Sequence, residues 1–269
     1  MTSRFIAMLA LEGPGYCTAA GLIAEVRRSY PRYQAPLEPA ASAAPGEPLM
    51  IQAGAVTVTV MFIDRPIPPG TLDAAIATDR VWPQAAERLG QHKAHAIVTH
   101  LQGATTHAEA LLAAATVQVL AAALGALLPT IGAYWGTGDT VTETSAFQAA
   151  ATSLVAGNLP TDAWVQMRWL DGPRTDKGER TLAVLTTGLM PFLGREIEFQ
   201  PATWPPAKIA GHLISLMQYL LQNGLVIGHR ESFGFDEETR VGAYLSPCLR
   251  SLKFSAIAWS TGDNQELAP

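Results

Sequence analysis

Between Ala110 and Leu128 the chain carries no charged side chain. A helix over such a stretch has no charged face to give to water and must be buried on most sides. Its start is marked: Thr106, His107, Ala108 and Glu109 spell a capping box, in which the threonine oxygen accepts from an N3 amide and the glutamate reaches back to the cap amide. The helix therefore begins near His107 and leads through Gly125 and Pro129 into a short aromatic strand ending at Trp135. Everything else in the chain has to provide cover for it.

Nineteen uncharged residues approach the roughly 20 that cross a bilayer. Three features favour a buried helix instead. The stretch takes much of its length from alanine, it contains Thr116 and Gln118, and no Lys or Arg between Lys93 and Arg168 anchors or orients a span. Layers of helix on sheet bury small residues in this way. Ala113, Ala114, Ala115, Ala121, Ala122 and Ala123 let a second backbone come close.

The expected order of elements is α+β. An apolar strand over residues 5–11 is followed by a helix through Ala20, Ile23, Ala24 and Val26 that stops before Pro31. Residues 34–48, rich in proline and alanine, read as an exposed connection. A strand over 56–63 sets Val56, Val58, Val60 and Phe62 on one face and Thr57, Thr59, Met61 and Ile63 on the other, and Pro66, Pro68, Pro69 and Gly70 close it. A short helix over 83–89, a strand over 95–101, the central helix and a strand over 131–135 come next, then a turn at Gly136-Thr137-Gly138-Asp139 and a helix over 145–155. Further on, residues 164–170 and 181–187 pair as a hairpin, and 195–199 form a strand. Ile209, Leu213, Leu216, Met217, Leu220 and Leu221 give a helix one apolar face; Asn223-Gly224 ends it, and 225–228 begins another strand.

Strand, capped helix, glycine and strand thus occur in the same order over 95–135 and 195–228. That poses an internal duplication as a hypothesis: two helix-backed β-sheet halves of ferredoxin-like kind. The expected division is an N-terminal α/β half over 1–150, a C-terminal α+β half over 151–259 and a tail over 260–269.

Composition bounds the function. Hydrophobic residues make up 48% and charged residues 15% of 269, which excludes general disorder. A formal charge of −5 gives no basic footprint for nucleic acid. The start of the chain, Met-Thr-Ser-Arg-Phe-Ile, soon meets Glu12, Gly13 and Pro14 and lacks the apolar core of a secretory signal, so a cytoplasmic setting is expected. Cys17 and Cys248 then read as two buried thiols, with a single disulfide between them as the alternative.

No motif with catalytic chemistry stands out. His92, His95 and His100 are the densest histidine cluster, but alternation along a strand sends His95 and His100 to opposite faces, so they do not share a metal. The Gly136–Asp139 turn follows a strand, as a phosphate loop would, yet Val141 stands where the dinucleotide fingerprint needs glycine. Glu196 and Glu198 share one strand face and read as a solvated face rather than an acid pair. The run Asp236, Glu237 and Glu238 reads as a charged loop. Tryptophans at 82, 135, 164, 169, 204 and 259 suit seams between helix and sheet, or partner contacts.

Four blocks carry a family resemblance: Val81-Trp82-Pro83-Gln84-Ala85 with residues 92–98; Gly132-Ala133-Tyr134-Trp135 through Gly138; Thr186-Thr187-Gly188-Leu189 with 193–198; and Asn223-Gly224 followed by Ile227-Gly228. Together they resemble bacterial proteins with the domain of unknown function 4261, which would cover about 181–252. Leu225-Val226 departs from the more polar turn expected there. The family has no established catalytic residues to carry over. Members look like soluble bacterial proteins, some encoded near secretion and toxin loci, which implies an immunity or accessory role.

The expectation is accordingly a non-enzymatic cytoplasmic binding protein with a protein partner, an immunity protein neutralising a toxin of a bacterial secretion system such as type VI. No cofactor, metal, nucleic acid or membrane enters that reading. An enzyme or small-ligand binder with a site near the Trp135–Asp139 turn is the alternative, and a structural homo-oligomer a third. The candidate surface comprises Trp82, His95, Tyr134, Trp135, Asp139, Arg195 and Glu196.

Overall fold

The computed structural model describes residues 4–40, 47–234, 240–246 and 251–257. Cys248, the acidic run 236–238, Trp259 and the tail 260–269 lie outside the described residues. Contacts divide the chain into two units, Met1–Gln166 with Thr187–Gly194, and Met167–Thr186 with Arg195–Pro269. The first runs past the expected border at 150 and takes back a short later segment.

The first unit begins with β1 (Ile6–Leu11), α1 (Ala19–Ser29), β2 (Leu37–Pro39), β3 (Leu49–Ala53) and β4 (Val56–Ile63). It continues through α2 (Asp73–Thr78), α3 (Ala85–Leu89), β5 (Ala94–His100), α4 (His107–Leu127), β6 (Thr130–Trp135), β7 (Thr140–Glu143), α5 (Thr144–Val155) and α6 (Thr161–Trp164). Its seven strands form one sheet in the order β2-β3-β4-β5-β1-β6-β7, and every neighbouring pair is antiparallel. At its heart, β1-α1-β4-β5-α4-β6 with the spatial order β6-β1-β5-β4 is the split βαβ arrangement of ferredoxin-like folds. β3 and β2 extend one edge and β7 the other.

The uncharged stretch forms α4, and the capping box at its start is complete. By length and composition this helix could cross a membrane. Here residues 116–124 are all buried, because α4 packs on β4, β5 and β1 while α1 and α5 flank it. The two polar residues that argued against a membrane span are bonded within the fold. Thr116 Oγ1 pairs with Tyr33 Oη at 2.8 Å and with the Leu112 carbonyl at 2.7 Å. Gln118 donates to the Phe147 carbonyl at 3.0 Å and accepts from the Trp164 indole at 3.1 Å. A buried amide bonded on both sides avoids the desolvation cost of an orphaned one, about 1–3 kcal/mol.

The helix α5 completes this layer over β6 and β7. Among the described residues, the opposite sheet face is covered by helices at that same end, by α2 and α3. Trp82, between them, is the wedge: with Ile67, Leu72, Leu89 and Val141 it forms a second small core. The Trp82 ring reaches the sheet because residue 132 is glycine; a Cβ there would come within 2.7 Å of the indole.

The second unit contains β8 (Gln166–Asp171), β9 (Leu182–Thr187), β10 (Glu196–Ala202), α8 (Pro206–Asn223), β11 (Ser232–Gly234), β12 (Arg240–Ser246) and β13 (Ser251–Ile257); α7 (Met190–Leu193) falls between β9 and β10 but belongs to the first unit. Its sheet has the order β11-β12-β13-β10-β9-β8, and β10 runs parallel to β13. The apolar face expected on α8 is buried as a stripe of Ile209, Leu213, Leu216, Met217, Leu220 and Leu221, and the rings of Phe199, Trp204 and His212, tilted and edge-to-face, link β10 to it. Residues 225–228 form no strand, contrary to expectation: Gly224 turns the chain out of α8 and Val226 N–H bonds back to the Gly224 carbonyl. The α+β class with two helix-backed sheets holds. The two sheets differ in strand order, so topology lends no support to a duplication.

Candidate binding surface

Strand alternation decides which residues face the helices. On β1, β4 and β5 the set Ala7, Leu9, Val58, Val60, Ala96 and Val98 is fully buried beneath α4 and its neighbours. Met8, Met61, Ile63, Ile97 and Thr99 point the other way and are half-buried. Met8, Ile97 and Met61 are cross-strand partners in one row, continued by Tyr134 on β6. α2 and α3 cover the β6–β7 end, where Tyr134 and Met8 of this row pack against the Trp82 core; over the rest of the row no helix lies among the described residues.

What borders it instead is the proline loop after β4. Met8, Ile63, Ile97, His95 and residues 65–69 line a trough of about 780 Å³, in the size range of small-molecule sites, roughly 300–1,000 Å³. A smaller hollow of about 390 Å³ lies on the other side of the same loop, among Leu72, Ile76 and Leu89; Ile67, Pro68 and Pro69 line both.

Two members of the histidine cluster hold that loop in place. His92 Nε2 accepts the Ile67 N–H at 2.7 Å while its Nδ1 donates to the Leu89 carbonyl. His95 Nδ1 donates to the Arg65 carbonyl at 2.7 Å. A carbonyl only accepts, so Nδ1 carries the hydrogen and Nε2 is the second functional position of the ring. His95 is 4% exposed, and Nε2 has no partner among the described residues. His100, as alternation predicted, lies on the opposite face, against Phe5. Burial and then the charge of Arg4 hold its imidazole below the usual range.

The expected surface residues separate into three places. Trp82, Tyr134 and Asp139 gather on the side of the sheet that holds the trough. Tyr134 packs against the Trp82 core, and its hydroxyl donates to Asp139 at 3.2 Å. Burial, followed by the Asp139 charge, pushes that phenol up to about 12. His95 joins them through Ala10, its cross-strand partner and a member of that core.

Trp135 goes to the helix side, 1% exposed, where its ring stacks on Trp164 at 5.8 Å. Trp164 in turn stacks on Phe192 of α7, whose carbonyl is bonded by His107. The Gly136–Asp139 segment is the turn between β6 and β7. Gly138 serves close packing there, since a Cβ would sit 2.1 Å from the Trp164 carbonyl oxygen. Nothing in this arrangement cradles a phosphate.

Arg195 and Glu196 belong to the second unit, where a Glu196 carboxylate oxygen accepts from Thr186 Oγ1 at 2.8 Å. Glu198 accepts from Gln200 at 2.7 Å, so both carboxylates of that strand face are engaged. Among the described residues no cluster of three His, Cys, Asp or Glu side chains has the proximity to hold a metal.

Met8, Ile63, Arg65 and Ile97 were not singled out in the sequence. The signal available was the second face of each strand, where methionine and isoleucine replace the threonine expected next to water. Arg65 makes no side-chain hydrogen bond or ion pair among the described residues, and it is the one cation of the trough lining; no carboxylate lines it. Tyr16 donates to neighbouring Asp64, a bond that with burial raises the phenol above its usual range.

Fold and surface thus define an α+β protein with an apolar trough on its larger sheet. Residues 185–249 match the family model of the domain of unknown function DUF4261. The matched stretch runs from β9 through α7, β10 and α8 to β12; the trough, built from residues 8–97, is outside it. Comparison with curated proteins and with solved structures gives no match.

Proposed function

We propose that this is a binding protein rather than an enzyme, and that its binding surface is the trough on the seven-stranded sheet. The carrying observation is the half-buried apolar set Met8, Ile63 and Ile97, which among the described residues no helix covers, on a sheet whose other face packs beneath α1, α4 and α5. Apolar surface of this kind, rimmed by polar groups, marks interaction sites. The finer proposal follows from the family resemblance of the sequence: an immunity protein in the bacterial cytoplasm whose partner is a toxin of a secretion system; the matched model itself is of a domain of unknown function. The test is co-purification with candidate toxins encoded by neighbouring genes, comparing the wild-type protein with Ile97→Asp. Capture by the wild type and at least tenfold weaker capture by the variant are expected, since a charge in a packed interface costs several kcal/mol. A deletion strain that survives attack by its siblings normally would refute the immunity role.

A second reading has its own observation. The trough is large enough for a small molecule and presents His95, a buried ring with one uncommitted nitrogen. Small-ligand sites combine an apolar lining with a few placed polar groups in this way.

A further inference from the structure

The trough's occupant can be narrowed by chemistry. We infer that it accepts a small organic acid: an apolar chain or ring lying on Met8, Ile63 and Ile97, with a carboxylate directed to Arg65. This rests on the small-ligand reading of the trough.

Three observations converge. Burying a ligand's apolar body over the half-buried row contributes in proportion to the area removed from water. The charge of the lining is one-sided: Arg65 is its one cation, without a side-chain partner among the described residues, and no Asp or Glu lines the trough, although the chain as a whole carries −5. Asp64, the nearest acid in sequence, is engaged by Tyr16. An unpaired guanidinium beside an apolar floor favours a carboxylate, which its fork of N–H donors can meet with two bonds.

The third is His95. Its Nδ1 is committed to the Arg65 carbonyl, so the ring is fixed in place, and Nε2 is the position a ligand can meet. It accepts from a hydroxyl or N–H on the ligand, or donates to the carboxylate when protonated. The same bond fixes the backbone that carries Arg65. The His95 ring and the backbone from which the Arg65 side chain extends are therefore tied together at the trough.

The probes are hydrocinnamate and its amide, which share a ring and chain and differ in charge. Titration into the full-length protein would be followed by methyl NMR of Met8, Ile63 and Ile97. The acid is expected to shift all three methyls and to bind about tenfold or more tightly than the amide, the range of a charge-assisted hydrogen bond. Arg65→Gln, at an exposed position that does not threaten the fold, is expected to bring the acid down to the amide's affinity and leave the amide unchanged.

Equal binding of acid and amide, with the trough methyls shifted, would overturn the carboxylate assignment and leave the trough standing as an apolar binding surface. Absence of shifts at all three methyls with either probe would overturn the small-ligand site altogether. Capture of the protein partner by wild type but not by Ile97→Asp would still be read separately, so failure here does not pass for failure of the partner reading.

Discussion

Val98 and Ile97 are adjacent on one strand and live in different environments. Val98 faces α4 and is inaccessible to water; Ile97 faces the trough and is half-buried. The same contrast runs across β1 and β4, so the seven-stranded sheet has one face committed to folding and one that folding leaves incompletely used. Helices α1, α4 and α5 use up the first, whereas among the described residues α2, α3 and a proline loop cover only part of the second. The difference teaches that apolar character on a strand does not by itself identify core: what matters is whether another element arrives to cover it.

The sharpest way to break this comparison is to cut into both faces. Leu120→Ala, in the fully buried middle of α4, is expected to cost about 3 kcal/mol or more, as large-to-small changes in packed cores do, read from the urea midpoint. The neighbouring pair is a finer test. Val98→Ala should cost about 2 kcal/mol, and Ile97→Ala about 1 kcal/mol although it removes more atoms. Equal or reversed losses would show that the trough face is ordinary core.

His92→Leu asks whether the loop is pinned as described. Losing the acceptor for Ile67 N–H should cost about 1 kcal/mol, and amide exchange at Ile67 should quicken while that of α4 is unchanged. The smallest effect concerns pH. Burial and Arg4 lower the His100 pKa in the folded state, so the unfolded chain binds the extra proton first. That contribution is present above the ordinary histidine value of about 6.5 and is lost as pH falls below it. His100→Phe, which keeps a ring against Phe5, should therefore lose less stability than wild type between neutral and mildly acidic pH, measured by urea unfolding.

Much of the helix face was legible beforehand. The capping box, the lack of charge after it and the alternation of residues 56–63 are local facts, and the fold honours them. Alternation also separates Tyr134 from Trp135, one to each face, although both were grouped into one candidate surface. The expected exposed connection of 34–48 hides β2, because its pairing with β3 is decided across the sheet rather than by its own residues. The helix α2 and strand β7 were missed in the same way: each is short, and each is fixed by the Trp82 core or by β6. The trough was not legible. Pro66, Pro68, Pro69 and Gly70 announce the end of a strand, but their role as a wall depends on His92 and His95, about thirty residues on, bonding back to that loop.

One consequence follows from the short segment Thr187–Gly194, which returns to the first unit in the midst of the second. Phe192 from that segment stacks on Trp164 and its carbonyl takes the His107 bond. A protease that nicks the exposed hairpin loop between β8 and β9 would therefore release neither product: the downstream fragment still inserts its own phenylalanine into the upstream one. Nicked protein should travel as one species through a sizing column and come apart only in denaturant.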